Sequence, residues 1–184
     1  MKLIVLDRDG VINEDSDAFV KSTEEWLPLP GSIEAIARFK QAGWLVAIAT
    51  NQSGLARGLF PLETLHAMHD KMHDLLAPYQ VKVDLITYCP HGPDDACDCR
   101  KPLPGLFNTI AQHYGLADLS GVPVVGDSLR DLQGGVALNA TPMLVLTGKG
   151  SKTAQGELPE GTQIFADLSA VADYLLNSTD APTC

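Results

Sequence analysis

The stretch LIVLDRDGVIN (residues 3–13) decides the fold, because an unbroken apolar run ends directly in two aspartates and a glycine. A run with no polar position is typical of a strand buried on both faces of a parallel sheet. Asp7 and Asp9 face the same side while the chain stays extended, and Gly10 permits a sharp turn after them. The stretch therefore predicts a first strand that presents two carboxylates at its end.

Similar apolar runs recur along the chain and alternate with segments of helical spacing. The predicted strands are Leu3–Leu6, Leu45–Ala49, Val83–Tyr88, Val122–Val125, Met143–Leu146 and Gln163–Phe165. The predicted helices are Ser32–Ala42, Leu62–Leu76, Leu106–His113, Asp131–Leu138 and Leu168–Leu176, with Ser32 as the N-cap of the first. This alternation predicts an α/β fold with a doubly wound, Rossmann-like, mainly parallel sheet.

Polar residues follow several of these runs. In open α/β sheets, ligands bind outside the carboxyl ends of the strands. We therefore expect one shared rim for five residues that are distant in sequence, namely Asp7, Asp9, Thr50, Cys89 and Asp127.

The bulk properties limit the classes of function. The chain has 184 residues and a net charge of −10, which predicts a single domain over residues 1–184 and disfavours nucleic-acid or membrane binding. No apolar run has the length of a membrane span or signal peptide, so the sequence predicts a cytoplasmic protein. The spacing between motifs leaves no room for a separate cap domain. We expect a monomer, and a frayed tail over about residues 177–184.

A third carboxylate and a group of phosphate-binding side chains complete the rim. GDSLRD (residues 126–131) supplies Asp127 and, four residues on, Asp131. Close carboxylates need a cation, and oxygen ligands of this kind suit Mg²⁺. ATNQSG (residues 49–54) offers hydroxyls and amides for phosphate oxygens. The alternative is that Asp7 and Asp9 only end a strand and cap a turn, but the ordered combination of motifs favours a phosphate site.

The loop CPHGPDDACDCRKP (residues 89–102) gathers three cysteines and a histidine. Three thiolates and one imidazole form a closed tetrahedral set for structural Zn²⁺, with the ligands Cys89, His91, Cys97 and Cys99. Reduced, unpaired thiols are the alternative. The loop over residues 89–101 ends in Arg100 and Lys101, so zinc would fix the peptide that presents two cations to phosphate.

These motifs resemble those of the haloacid dehalogenase-like (HAD-like) phosphohydrolases over about residues 3–150. The resemblance implies that Asp7 is the nucleophile that forms an aspartyl-phosphate and that Asp9 is the general acid and base. It implies that Thr50 holds the transferring phosphoryl group and that Lys101 neutralises its charge. Asp127, the Asp7 carboxylate and the Asp9 main-chain carbonyl would hold Mg²⁺, and Asp131 would orient Lys101 or a metal-bound water.

The zinc loop narrows the resemblance to the histidinol-phosphate/heptose-bisphosphate branch, and within it to the heptose-bisphosphate phosphatases. Resemblance to the heptose-bisphosphate phosphatases implies removal of the 7-phosphate from a phosphorylated sugar, D-glycero-D-manno-heptose 1,7-bisphosphate, during synthesis of lipopolysaccharide core. The implied substrate contacts are Asp7, Arg8, Asp9, Asp15, Thr50, Asn51, Gln52, Ser53, Arg100 and Lys101, with Arg57 in a supporting role. Arg100 would reach the distal phosphate. Position 128 is Ser where some relatives have Lys.

Three other functions remain open at this point. A histidinol-phosphate phosphatase would use the same machinery and an acidic wall such as NEDSD (residues 13–17). A non-catalytic zinc and phosphate-binding module and a sugar-nucleotide transferase that binds Mn²⁺ through DxD are the other two. The histidines His66, His69 and His73 share a helical face, which we interpret as a solvated flank of the second helix.

Overall fold

A computed structural model describes residues 1–177, in which six parallel strands form one sheet. The strands are β1 (Leu3–Leu6), β2 (Leu45–Asn51), β3 (Leu85–Cys89), β4 (Pro123–Gly126), β5 (Thr141–Val145) and β6 (Gln163–Phe165). Their order across the sheet is β3-β2-β1-β4-β5-β6. The direction of winding therefore reverses between β1 and β4, where a crevice forms at the carboxyl ends of the strands. The predicted doubly wound parallel sheet is confirmed.

Helices cover both faces of the sheet. They are α1 (Ser32–Gln41), α2 (Leu62–Leu76), α3 (Gly105–His113), α4 (Leu129–Val136), α5 (Gly150–Thr153) and α6 (Leu168–Asn177), and a short 3-10 helix (Ala77–Tyr79) follows α2. One face packs against α1, α2 and α6 and the other against α3 and α4.

Strand β1 divides the core by simple alternation. Ile4 and Leu6 pack in the cluster with α1, α2 and α6, whereas Leu3 and Val5 pack in the cluster with α3. All four side chains are at most 2% exposed. Full burial of such a side chain is worth roughly 1.5–3 kcal/mol. The apolar run thus fixes β1 at the centre of the sheet, and the residues that follow it fall into the crevice.

Several predicted boundaries differ from the observed ones for local reasons. Strand β2 continues through Thr50 and Asn51, because both still pair with β3. Helix α4 begins at Leu129, since Ser128 and Asp131 form a capping box before it. The prediction of Ser32 as an N-cap is wrong. Gly31 occupies that position, and the Ser32 hydroxyl donates to the Ile12 carbonyl at 2.6 Å.

Within residues 1–177 no further sheet or bundle is inserted between the strands, in agreement with the expected lack of a large cap domain. Residues 14–30 instead form an irregular flap, held to α2 by Lys71, whose ammonium donates to the carbonyls of Thr23 and Trp26. None of the helices in residues 1–177 combines the length and apolar character of a membrane span. The predicted frayed tail lies outside the described residues, apart from Asn177, which ends α6.

Candidate active site

A cavity of about 240 Å³ opens at the carboxyl ends of the central strands. Most of the predicted site residues line it, namely Asp7, Asp9, Asp15, Asn51, Gln52, Ser53, Arg57, Arg100, Lys101 and Asp127. Three others, Arg8, Thr50 and Asp131, lie directly behind its wall and are at most 1% exposed. The sheet therefore brings together residues from the ends of β1, β2 and β4 and from the loop after β3.

Lys101 lies between two carboxylates beneath the cavity. Its ammonium nitrogen is 2.8 Å from Asp7 Oδ1 and 2.7 Å from Asp131 Oδ1. It also donates to the Ala49 carbonyl at 2.7 Å, and the side chain is only 2% exposed. Three oxygens therefore fix the position of the charge. The negative charges of Asp131 and Asp7 overcome the effect of burial and raise the pKa of Lys101, which keeps it cationic.

The carboxylates outnumber this cation. Oxygens of Asp7, Asp127 and Asp131 all lie within 4.8 Å of one another. Burial, and then the charge of Asp131, raise the pKa of Asp7 to about 7. Burial, and then the charges of Asp7 and Asp131, raise the pKa of Asp127 to about 8. The group therefore requires a proton or a second cation, and a set of hard oxygen donors fits Mg²⁺.

Backbone close to Asp127 holds that carboxylate in place. A side chain at Gly10 or Gly148 would collide with it, and both glycines have positive φ angles, of 86° and 56°. The Lys149 amide donates to Asp127 Oδ2 at 2.8 Å. Glycine is therefore needed on both sides, because only a bare backbone approaches the carboxylate this closely.

Asp9 is held by a different set of donors. Its Oδ1 accepts from Arg8 Nε at 2.9 Å, from Arg8 Nη2 at 2.8 Å and from Asn13 Nδ2 at 2.9 Å. Its Oδ2 has one donor among residues 1–177, Gln52 Nε2, at 3.1 Å. Burial acts to raise the pKa of Asp9, but the charge of Arg8 and these hydrogen bonds outweigh it and hold that pKa below the usual range. Oδ2 is therefore the oxygen left for chemistry in the cavity.

Arg8 and His69 lie below Asp9. The Arg8 side chain is 0% exposed, so contact with a substrate is left to its main chain. Arg8 Nη1 lies 3.3 Å from His69 Nε2, a ring that α2 presents to the core. The interpretation of the three histidines as a solvated flank is therefore wrong for His69, which is 6% exposed. It holds for the exposed His66, and His73 is half-buried.

The end of β2 and the residue that follows it supply polar groups to the same wall. Gln52 Nε2 bridges Thr50 Oγ1, at 2.9 Å, and Asp9 Oδ2. Asn51 holds the backbone of Lys101, because its Oδ1 accepts from the Lys101 amide at 3.0 Å and its Nδ2 donates to the Lys101 carbonyl at 3.2 Å. Asn51 thus positions Lys101 in addition to lining the cavity.

The four predicted zinc ligands converge in the loop after β3. The sulfurs of Cys89, Cys97 and Cys99 and a ring nitrogen of His91 all lie within 4.8 Å of one another. His91 Nδ1 is 3.6 Å from Cys89 Sγ and 3.4 Å from Cys99 Sγ. Burial, and then contact with Cys89, raise the pKa of the Cys99 thiol to about 12 without a metal. Soft sulfur and imidazole donors in this arrangement fit Zn²⁺.

Two cations of the cavity wall were not among the predicted site residues. Arg130 lines the cavity from the first turn of α4, and its position inside GDSLRD was the signal in the sequence. Lys149 also lines it, 3.4 Å from Asp15 and 3.8 Å from Asp17 in the flap.

Burial, and then the neighbouring charges of Arg130 and Arg57, lower the pKa of Arg100. These three arginines therefore form a cationic arc beside the carboxylates.

Comparison with known families matches this chain to hydrolases and phosphatases. A family described as polynucleotide kinase 3 phosphatase matches residues 2–130, and one described as HAD-hydrolase-like matches residues 98–171. A relative from Bordetella bronchiseptica named D-glycero-beta-D-manno-heptose-1,7-bisphosphate 7-phosphatase is 64% identical over 96% of this chain and 98% of its own. A relative of the same name from Pseudomonas aeruginosa is 59% identical over 95% and 97%.

A solved structure extends the comparison to three dimensions. The crystal structure of D,D-heptose 1.7-bisphosphate phosphatase from B. bronchiseptica, complexed with magnesium and phosphate, has a TM-score of 0.94 and 63% sequence identity. The match covers 97% of this chain and 99% of that one. Fold and sequence therefore agree over nearly the whole length of both proteins.

Proposed function

Because the chain belongs to the HAD-like phosphatases, and within them to the family of the D-glycero-beta-D-manno-heptose-1,7-bisphosphate 7-phosphatases, we propose that it removes the 7-phosphate of that sugar. In this role it serves the synthesis of heptose precursors for lipopolysaccharide core. The reaction is hydrolysis of a phosphomonoester through an aspartyl-phosphate.

The observation that carries the proposal is the pairing of Lys101 with Asp7 and Asp131 beside the buried carboxylate of Asp127. A carboxylate that attacks an anionic phosphate needs positive charge close by. Lys101 supplies part of it at 2.8 Å from Asp7. Asp7 and Asp127, whose carboxylate oxygens lie within 4.8 Å of each other, would supply ligands for a metal.

The residues divide the chemistry into two steps. In the first, an Asp7 oxygen attacks phosphorus as the bond from phosphorus to the C7 oxygen breaks, and that oxygen takes the proton from Asp9 Oδ2. In the second, Asp9 takes a proton from water while the water oxygen attacks phosphorus, and the bond to Asp7 breaks to release phosphate. Proton transfer of this kind is worth roughly 10²–10⁴-fold in rate.

A bound phosphoryl group also explains how Asp9 becomes protonated. In the protein without substrate the Asp9 pKa lies below the usual range, because Arg8 and the other donors favour the carboxylate. An anionic phosphoryl group next to Oδ2 favours the protonated form instead. The proton then sits on Oδ2, because Oδ1 already accepts three hydrogen bonds.

Two metals complete the proposal. Asp7, Asp127 and the Asp9 main-chain carbonyl would hold Mg²⁺, which supplies charge stabilisation for the phosphoryl oxygens when bound. Structural Zn²⁺ would be held by Cys89, His91, Cys97 and Cys99. Its binding free energy would stabilise a loop that has no regular secondary structure. Thr50, Gln52 and Ser53 would contact the transferring group. The predicted cytoplasmic location and monomer stay predictions.

The cationic arc of Arg57, Arg100 and Arg130 favours a bisphosphate over histidinol phosphate. Arginine binds phosphate through a planar, bidentate fork, and a second phosphate would find three such groups at the edge of the cavity. Histidinol phosphate carries an amine in place of that phosphate, and the arc would repel it. Asp15 forms an ion pair with Lys149, which partly neutralises its charge and makes it a weaker binding site for the amine of histidinol phosphate.

Phosphate release from purified protein tests this assignment. We expect kcat/KM for heptose 1,7-bisphosphate to exceed that for heptose 7-phosphate and histidinol phosphate by at least about 10-fold, because one charged hydrogen-bonded contact is worth about 1.5–3 kcal/mol. Activity should require Mg²⁺. Equal or higher kcat/KM for histidinol phosphate would reverse the choice of substrate, and no release from any phosphomonoester would remove the enzymatic assignment.

A further inference from the structure

We infer that His69 is a positioning residue for the proposed general acid, acting through the buried Arg8 to fix the Asp9 carboxylate. The inference rests on the proposed function, because it takes Asp9 as the group that protonates the leaving oxygen. Its own evidence is a chain of contacts from α2 to the cavity, in which His69 Nε2 lies 3.3 Å from Arg8 Nη1 and Arg8 donates twice to Asp9 Oδ1.

Arg8 has few partners for a buried cation. Its guanidinium is 0% exposed and makes its ion pair with Asp9, through Nε and Nη2. That leaves Nη1, and its hydrogen-bond partner among residues 1–177 is the imidazole of His69. A buried donor without an acceptor is costly, by about 1–3 kcal/mol or more for a charged group. The contact with His69 thus favours the rotamer of Arg8 that also pairs with Asp9.

The imidazole is suited to accept this hydrogen bond. Burial, and then the positive charge of Arg8, lower the pKa of His69 to about 3. The ring is therefore neutral at pH 7, and its Nε2 lone pair accepts when the proton is on Nδ1. A protonated ring would have no acceptor and would repel Arg8. His69 is packed among Leu65, Met68 and Met72 on the buried face of α2, which fixes the ring as well.

The geometry at Asp9 shows what the chain of contacts achieves. Arg8 and Asn13 occupy Oδ1 with three donors, so Oδ2 is the oxygen left to exchange a proton with a substrate in the cavity. If Arg8 changes rotamer, both of its hydrogen bonds to Oδ1 are lost and the carboxyl rotates. Misplacement of a catalytic group by about 1 Å costs roughly 10²-fold in rate.

Substrates with different leaving groups separate positioning of an acid from general damage to the fold. Loss of p-nitrophenolate needs little protonation, whereas loss of the C7 alkoxide of the heptose needs a proton. We expect His69→Leu to lower kcat/KM by about 10- to 100-fold for heptose 1,7-bisphosphate and by less than about 3-fold for p-nitrophenyl phosphate. His69→Gln, whose amide oxygen accepts a hydrogen bond, should restore most of the loss.

Controls distinguish the chain of contacts from packing of α2. Met72→Ala creates a cavity on the same helix face without removing a hydrogen bond, and it should lower the melting temperature with the same relative effect on both substrates. His69→Met, which also lacks a nitrogen or oxygen acceptor, serves if His69→Leu does not fold. In an Arg8→Met background, His69→Leu should cause no further loss of kcat/KM, because its effect is transmitted through Arg8.

The possible results separate this inference from the proposed function. An equal loss of kcat/KM for both substrates in His69→Leu, or an undiminished loss in the Arg8→Met background, would overturn the role of His69. If Asp9→Asn also fails to discriminate between the two substrates, the assignment of Asp9 as the acid is wrong. If Asp9→Asn discriminates and His69→Leu does not, only the positioning role is lost.

Discussion

At the scale of single residues, the site depends on the identity of one carboxylate. Asp7 lies 2.8 Å from Lys101 and its pKa is about 7, so a cation near it favours the ionised, nucleophilic form. Asp7→Asn keeps the size and removes the nucleophile. We expect kcat to fall by at least about 10³-fold, because no other group on the cavity wall would replace covalent catalysis.

Asp17→Asn is the matched control for that variant. Asp17 is also a cavity carboxylate, but its side chain is 98% exposed and it has a long ion pair, 3.8 Å, with Lys149. Its kcat should stay within about 3-fold of the original value, since exposed ion pairs contribute little. Residual activity in Asp7→Asn comparable to that of Asp17→Asn would show that Asp7 is not the nucleophile.

Arg130 gives a second prediction at this scale. Arg130→Gln removes one charge from the cationic arc and leaves every carboxylate of the cavity in place. We expect KM for heptose 1,7-bisphosphate to rise by about 10-fold, with kcat and the KM for heptose 7-phosphate nearly unchanged, because a charged hydrogen bond is worth about 1.5–3 kcal/mol. Steady-state kinetics on the two sugars measure this, and an equal rise of both KM values would show that Arg130 does not contact the distal phosphate.

At the scale of elements, the zinc loop connects β3 to the position of Lys101. The main-chain N–H of Gln52 donates to the Cys89 carbonyl at 2.8 Å, and Arg100 Nη1 donates to the His91 carbonyl at 3.2 Å. Lys101 itself follows Cys99 by two residues. A well-ordered loop therefore holds Lys101 and Arg100 in position.

Loss of a zinc ligand should therefore lower activity as well as stability. Cys99→Ala is expected to abolish stoichiometric zinc, lower the melting temperature and reduce kcat by up to about 10²-fold through displacement of Lys101. Metal analysis, thermal unfolding and steady-state kinetics measure the three effects. Asp94→Asn, an exposed change in the same loop, should alter none of them. A Cys99→Ala protein with full zinc content would contradict the ligand assignment.

The elements also show what the sequence could predict. The apolar runs located strands β1 to β5, because strands buried on both faces have few polar positions, and the residues after those runs then met at one edge of the sheet. Strand β6 is only partly buried and was predicted as a strand-plus-helix unit with α6. The exact ends were less predictable, since strand pairing at Thr50 and the capping box at Ser128 depend on neighbours. Helix α5 has only four residues, too few for a periodic pattern.

His69 and Arg130 show where the sequence-based interpretation fell short. His69 falls on the same helical face as Leu65, Met68 and Met72, so the spacing did indicate burial. Its partner Arg8 was the missing information, because that contact joins residues 61 positions apart. Arg130 lies within GDSLRD, but which residues at the start of a helix face a cavity depends on the packing of α4 on the sheet.

At the scale of the whole molecule, the excess of buried carboxylates links metal binding to protons and to stability. The pKa values of Asp7 and Asp127 are about 7 and about 8, above the ordinary aspartate value of 3.8 that applies to the unfolded chain. Between pH 6.5 and 8.5 the folded protein without Mg²⁺ therefore holds more protons than the unfolded chain. Its stability should fall as pH rises through this window.

Thermal or urea unfolding across that window tests this linkage. Each proton involved contributes at most about 1.4 kcal/mol per pH unit. Addition of Mg²⁺ should remove most of the loss at pH 8.5, and Mg²⁺ affinity should rise with pH, because the metal competes with the same protons. Asp127→Asn should weaken both effects. Stability that is independent of pH and Mg²⁺ in this window would contradict the assignment of these carboxylates to the metal.

The most direct test of the whole account is detection of the phosphoryl group on Asp7. Asp9→Asn removes the base that activates water, while p-nitrophenyl phosphate does not need Asp9 as an acid, so the intermediate should accumulate. Acid quench followed by mass spectrometry of peptides should find phosphate on Asp7, with a burst of one equivalent of p-nitrophenol per active site. A burst-free reaction at the original rate, or phosphate on any other residue, would contradict the account.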